Sequence, residues 1–408
     1  MQKPIIKQLI HQLIIQNEYK KTLLAVCPNS ESVTRAALLA AKEANAPILF
    51  AATLNQVDID GGYTGWTPQG LNDFLQKEAD RIGLTSLILP CLDHGGPWLK
   101  DKHSTLNLSY EETMDAVKKS LEACIDADYA LLHIDPTVDK TLGNADPIPI
   151  DLVVDRTLEM IEHAENYRKG KNLPPISYEV GTEEVHGGLA NMDSFRDFLT
   201  GLNEGLKARN LEDAWPCFVV GKVGTDLHTT LFDPEVAKQL TEQVRPYGAL
   251  IKGHYSDYVD NPEDYPLSGM GGANVGPEYT EEEFIALMKL VELEQKVGKD
   301  SGLEKALKEA VIGSNRWQKW LSADETGKDF DHLNQERQLW LMRTCSRYIW
   351  TSDGVIDARK RLYKNLEGYR DADAFVLYSI KHSIMKYYHS FNLINFTSLH
   401  ITSSLSGK

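Results

Sequence analysis

Short apolar runs alternate along most of this chain with longer stretches whose apolar residues recur at helical spacing. The runs are Thr22–Cys27, Ile48–Leu54, Leu87–Leu92, Tyr129–Ile134, Ile176–Val180, Phe218–Val223, Ala249–Lys252 and Gly271–Gly276. The intervening stretches predict helices over Ser30–Asn45, from Thr67-Pro68 onward, and over Ser109–Ala127, Ile150–Lys169, Met192–Arg209, Pro234–Arg245, Asn261–Leu267 and Thr280–Val297. Two starts carry their own chemistry. Asn29 or Ser30 caps ahead of Glu31, and Thr67 precedes a proline at the first helical position. Continuous apolar strands, each followed by a helix, predict a parallel sheet covered on both faces. Eight such units in about 280 residues fit an α/β fold of the (β/α)8 TIM barrel type.

The two ends of the chain read differently. Ile5, Ile6, Leu9, Ile10, Leu13 and Ile14 lie at amphipathic helical spacing, too interrupted by polar residues for a signal peptide and too short to span a bilayer. From Gly302 onward only helices are predicted, with Trp317, Trp320, Trp340, Tyr348 and Trp350 making that region aromatic. The expected organisation is an N-terminal helix in 1–20, a catalytic barrel in 21–300 and a C-terminal helical extension in 301–408. The extension is expected to pack on the barrel or on an oligomer partner.

Composition narrows the class of function. Apolar residues make up 42% and charged residues 25% of 408, ordinary usage for a globular protein. The net charge of −16, from 59 acids against 43 bases, argues against nucleic acid and anionic membranes, which need clustered cations. A phosphorylated substrate stays open, since one cation or a ring of backbone N–H groups can hold it. The five cysteines are widely spaced and form no C-x-x-C pair. They read as reduced thiols, and a cytoplasmic homo-oligomer is the expectation.

Polar groups are not scattered over both ends of the strands but follow them. Leu87–Leu92 runs into Asp93-His94-Gly95-Gly96-Pro97, Tyr129–Ile134 into Asp135-Pro136, and Ile176–Val180 into Gly181-Thr182-Glu183. Ala249–Lys252 runs into Gly253-His254-Tyr255-Ser256-Asp257, and Asn55-Gln56, Asp226 with His228, and Asn274 follow three others. A barrel builds its active site in this way, at the C-terminal ends of its strands. The pattern predicts an enzyme. His94, Glu183 and His254 would sit on strands three, five and seven, whose tips converge over the mouth. Each histidine alone reads as a capping or core residue, but two imidazoles and a carboxylate together make a common catalytic zinc set. Such a metal would polarise a carbonyl as a Lewis acid.

Asp93, beside His94, is the candidate general acid/base for a sugar hydroxyl. Asp135 either orients that group, contacts substrate or caps the turn before Pro136. Asn55, Gln56, Tyr63 and Thr64, around the glycines of the second loop, offer hydrogen bonds to a polyhydroxylated ligand. Asp257, Asn274 and Gly276 complete the candidate substrate-contacting set. The Gly269–Gly276 stretch could cradle an oxyanion or phosphate. His186, beside Gly187-Gly188, reads as a solvated loop histidine before a mobile acid/base.

The segments N-Q-V-x-x-x-G-G-Y-T-G-W-T-P (Asn55–Pro68), D-H-G-G-P (Asp93–Pro97), H-I-D-P (His133–Pro136), Y-E-V-G-T-E (Tyr178–Glu183), G-H-Y-S-D-Y (Gly253–Tyr258) and N-V-G-P (Asn274–Pro277) resemble, in order, one family. It is the so-called non-catalytic subunit of class II tagatose-bisphosphate aldolase, sometimes labelled tagatose-6-phosphate kinase, with related metal-dependent ketose 4-epimerases. The resemblance covers residues 21 to 400. It implies a class II aldolase-like barrel with a divalent metal (Zn2+, with Mn2+ or Co2+ as alternatives) at His94, Glu183 and His254, and a base at Asp93. The implied substrate is a ketose or ketose phosphate and the implied reaction lies at C3–C4, by 4-epimerisation or aldol cleavage. The alternative is a stabilising subunit without turnover, whose partner is a catalytic aldolase chain. Departures fall at Trp66, at Gly221-Lys222-Val223 and at Asn274, where the family has Lys before V-G-P. No G-x-x-x-x-G-K-[ST] signature accompanies the kinase label.

With that lysine absent, Lys222 and Lys252 are the nearest cations by topology. Lys252 lies two residues before His254 and shares its face if the strand continues. A buried lysine there demands an anionic partner, so an acidic or phosphorylated ketose is expected over a neutral one.

Overall fold

The computed structural model of the chain describes residues 4–16, 20–142, 148–181, 191–225 and 231–396. Its elements run in order α1 (Ile5–Gln16), β1 (Leu23–Val26), α2 (Glu31–Ala44), β2 (Ile48–Thr53), α3 (Pro68–Ile82), β3 (Ile88–Gly95), α4 (Asp101–Thr105), α5 (Tyr110–Asp126), β4 (Leu131–Ile134), α6 (Ile150–Gly170), β5 (Ser177–Gly181) and α7 (Met192–Ala208). There follow β6 (Phe218–Val220), α8 (Pro234–Val244), β7 (Leu250–Gly253), α9 (Asp264–Leu267), β8 (Gly272–Val275), α10 (Pro277–Lys296), α11 (Leu303–Ser314), α12 (Gln335–Cys345), α13 (Asp353–Asn365) and α14 (Ala372–Ser390). The eight strands pair in parallel in chain order and β1 also pairs with β8, so the sheet closes into a barrel. The predicted (β/α)8 architecture is the observed one.

The helix starts follow from their caps. Ser30 Oγ accepts the Val33 N–H at 3.0 Å, and Thr67 Oγ1 accepts that of Gly70 at 3.1 Å ahead of Pro68. Ser109 and Glu112 form a reciprocal capping box on α5. α10 begins at Pro277, three residues before the predicted Thr280, because proline at the first helical position needs no N–H partner. The seventh helix is cut to the four residues of α9.

β3 departs most from its predicted bounds. It continues past Leu92 through Asp93 and His94 to Gly95, with a shift in register against β4 between Leu92 and Gly95. His94 takes a left-handed φ of +48° at this bulge, a conformation that costs a non-glycine residue about 1 kcal/mol or more. Gly96 then passes so close to β4 that a Cβ would lie 1.7 Å from the Asp135 carbonyl oxygen.

α1 buries Ile6, Leu9 and Ile10 and Lys7 donates to the Asp213 carbonyl at 2.6 Å, among the residues that lead into β5, β6 and β7. It therefore lies at the N-terminal face of the barrel, away from the mouth. Beyond α10, the helical layer folds back onto the barrel's own helices, with α14 against α2 and α10. Arg359 pairs with buried Glu283 of α10 at 2.7 Å, and Glu283 also accepts the Ser30 hydroxyl at 2.5 Å. Among the described residues no helix is long and apolar enough to cross a membrane.

Candidate active site

The tips of β3, β4 and β7 bring Asp93, His94, His133 and His254 together, each with one donor atom within 4.8 Å of the others. The β3 bulge turns successive residues, Asp93 and His94, into the same mouth. Carboxylates orient two of the imidazoles from behind. Asp135 Oδ2 lies 2.5 Å from His94 Nδ1, and Glu179 Oε1 lies 2.8 Å from His254 Nε2. These contacts place the ring protons on those nitrogens.

The other two ring nitrogens, His94 Nε2 and His254 Nδ1, face each other 3.1 Å apart. Two lone pairs cannot share that gap without a proton or a cation between them. In the chain alone a proton serves. Burial opposes charge on His94, yet Asp93 and Asp135 outweigh it and raise its pKa to about 9. Burial, with charged His94 alongside, holds His254 down to about 4. A second mismatch lies alongside. His133 Nδ1 accepts the His94 backbone N–H at 3.1 Å, so it cannot donate to Asp93 Oδ1, 3.2 Å away. His133 Nε2 is buried with no partner among the described residues. The donor set fits a divalent cation in its chemistry, and the facing His94 Nε2 and His254 Nδ1 are the pair that could hold one in place of the proton.

Burial pushes the Asp93 carboxyl upward, but His94, His254 and Lys252 hold it well below the usual range. Asp135 is not part of the cavity wall. Both its oxygens are engaged, one by His94 and the other by the Thr137 hydroxyl at 2.5 Å. It was expected to orient Asp93, contact substrate or cap the turn; the geometry has it orient the His94 ring instead. Glu183, His186, Asp226 and His228 lie outside the described residues.

Lys252 does not reach for substrate. It is 1% exposed, and its Nζ lies 2.6 Å from Glu179 Oε2 inside the barrel. Gly272, its neighbour on β8, makes room, since a Cβ there would meet the lysine stem at 3.1 Å. The shared face with His254 is confirmed by the Glu179 carboxylate that both contact, but the anion it needs is supplied by the chain. Replacing Lys252 with Met leaves Glu179 buried without its cation, and should cost about 3–5 kcal/mol in urea unfolding. Adding Glu179→Gln should recover part of the loss. A loss below about 1 kcal/mol would show that the pair is not the one that matters for stability.

A cavity with about 760 Å³ of empty space, its open mouth included, lies above these groups. Asn55, Gln56, Tyr63, Asp257, Asn274 and Gly276 line it as expected, whereas Thr64 does not. The Thr64 hydroxyl is spent on the Gln56 carbonyl at 2.6 Å. Several lining groups also hold the loops. The Asn55 amide bonds Leu99 and Asp101, that of Gln56 bonds Asn29 and Thr53, and the Tyr63 hydroxyl donates to Asn29. Asn274 differs. It is 4% exposed and neither end of its amide has a partner among the described residues. Gly276 offers no phosphate cradle, because Asp257 Oδ1 already accepts the N–H groups of Gly276 and Glu278 at 2.9 and 2.8 Å. Burial, with Glu278 adding to it, pushes the Asp257 pKa up to about 7.

Two groups of residues escape the sequence reading. His133 and Glu179 lie inside apolar runs, not after them. One side of the cavity wall comes from the helical layer, which contributes Arg316, Lys319, Trp320, Arg347 and Tyr348. The R-W-x-K-W run at Arg316–Trp320, with its interleaved cations and aromatics, was the available signal.

Solved structures share the fold. A probable tagatose 6 phosphate kinase from Sinorhizobium meliloti 1021 matches with a TM-score of 0.73 at 21% identity, covering 91% of this chain and 100% of that one. A fructose-bisphosphate aldolase from Campylobacter jejuni matches with a TM-score of 0.52 at 11% identity, covering 96% of this chain and 94% of that one. Residues 7–387 match the model of the GatZ/KbaZ-like family, the D-tagatose-1,6-bisphosphate aldolase subunits, and the chain belongs to that family.

Proposed function

We propose that the chain is itself a metal-dependent enzyme acting at the C3–C4 bond of a ketose or ketose phosphate. One observation carries this reading: two imidazoles, each oriented by a buried carboxylate, turn their second ring nitrogens toward each other across 3.1 Å. His94 and His254 would hold the metal, zinc first, with manganese or cobalt as alternatives. The third donor would be Glu183, the one expected from the sequence, or His133, which lies in the same cluster but would have to release the His94 N–H from its Nδ1. When bound, such an ion supplies Lewis-acid polarisation of a carbonyl.

The remaining work falls to the chain's own groups. Asp93 takes the proton of the C4 hydroxyl as the C3–C4 bond breaks, its electrons passing toward the C2 carbonyl oxygen. Re-addition to the other face of the aldehyde, with the proton returned, inverts C4. Release of the two fragments instead is aldol cleavage. Asp135 and Glu179 keep the two imidazoles in register, and Asn274 offers both a donor and an acceptor to sugar hydroxyls.

The family's description as aldolase subunits favours a second reading, a stabilising partner of a separate aldolase chain without turnover. The purified chain alone separates the two. It is expected to retain metal and, with Zn2+ or Mn2+, to convert fructose, tagatose or their phosphates or the corresponding keto-acids into epimers or three-carbon products. A chain that binds no metal and turns over none of them, yet stabilises a separate aldolase, would establish the second reading.

A further inference from the structure

Arg347 lies in the short turn Ser346–Tyr348 after α12 and lines the mouth cavity, 8% exposed. Its guanidinium stacks on Trp320 and Tyr348, 4.9 and 5.2 Å from the ring centroids. Among the described residues it has no ion pair or side-chain hydrogen bond, and its Nε is buried without a partner. The one carboxylate whose charge reaches it, Asp257, bonds the N–H groups of Gly276 and Glu278 instead of pairing with it, and a buried cation without an ion pair marks a place where an anion arrives. At the rim of the same cavity Arg316 and Lys319 share a single carboxylate, Asp101. That wall therefore carries three cations against one paired acid, in a chain of net charge −16. The position where barrels commonly hold phosphate, the helix start after the last strand, is filled by Asp257.

We propose that Arg347, flanked by Arg316 and Lys319, binds the terminal oxyanion of the substrate, and that the helical layer, not the strand-eight loop, selects an anionic ketose. This rests on the ketose reading above. Arg347 presents a planar fork suited to the two oxygens of a carboxylate or phosphate, and the flat rings beneath keep the fork in place. Carboxylate and phosphate share this chemistry.

The test uses the full-length, metal-loaded chain and its Arg347→Met, Arg347→Lys and Lys319→Gln variants. Calorimetric titration with inorganic phosphate and with acetate reads the oxyanion directly. Kinetics with a ketose 6-phosphate, a ketohexuronic acid and the neutral ketose read it in substrate, and the preferred member of each set identifies the source. Arg347→Met should weaken the favoured oxyanion by on the order of 30-fold or more, and lower the anionic-to-neutral ratio of kcat/KM by a similar factor. Arg347→Lys should restore part of both, and it serves if the Met variant does not fold. Oxyanion binding within about twofold of wild type in the Arg347 variants, or none in the wild type, would overturn the assignment. Arg347-dependent oxyanion binding without turnover of any ketose would leave the subsite standing and remove the ketose reading. Turnover whose anionic-to-neutral ratio ignores Arg347 would do the reverse.

Discussion

A His254→Ala chain is expected to lose its divalent metal on dialysis and to turn over at least about 10³-fold more slowly, since the Lewis acid contributes several kcal/mol. Its fold should survive. Glu179 keeps its partner Lys252 at 2.6 Å, and the bond from the Thr225 hydroxyl to residue 254 ends on the backbone carbonyl, which alanine retains. What disappears is the nitrogen facing His94 Nε2, with it one of the two bare donors at the 3.1 Å gap. Metal analysis by mass spectrometry, set beside the circular dichroism spectrum, checks both halves. Full metal occupancy in this variant would remove His254 from the ligand set and leave His94, with Asp93, His133 or Glu183, to account for binding.

Asp93→Asn keeps the shape of the side chain but cannot accept a proton. Turnover should fall by on the order of 10²–10⁴ while metal content is unchanged, and that combination distinguishes a base from a ligand. The side chain is well placed for the role. Its carboxylate stays ionised because His94, His254 and Lys252 outweigh the effect of burial, and it lines the cavity beside both imidazoles. Loss of metal together with activity would reassign Asp93 to the ligand set. Near-normal turnover would move the proton transfer to Asp257, which lines the same cavity with a pKa near 7.

The barrel was legible because a parallel sheet buried on both faces leaves continuous apolar runs, and the side chains past their ends announced the mouth. Asp93, His94 and His254 were found in this way. His133 and Glu179 were hidden for the opposite reason, since an inward-pointing polar residue inside a run looks like an interruption of it. Alternation along Leu131–Ile134 and Ser177–Gly181 was the signal available, because residues 133 and 179 pair across β4 and β5 and share a face. Lys252 was placed on the correct face, but its partner Glu179 sits on another strand, beyond the reach of local pattern. Arg347 was out of reach altogether. Its place beside the second loop depends on tertiary contacts, such as the 3.0 Å bond from the Thr351 hydroxyl to the Tyr63 carbonyl.

That bond joins two halves of a divided instruction. The strand tips carry the candidate catalytic groups, while a wall of the chamber is written some 40 to 70 residues after the last strand, in a layer that contributes nothing to the barrel's hydrogen-bonded ladder. Substitutions at Arg316, Lys319 or Arg347 can therefore retune what enters without touching the imidazoles or the sheet that aims them. The strand-tip cluster and the wall that governs entry can drift separately in such a molecule, so that one barrel core can stand behind a series of differently charged entrances.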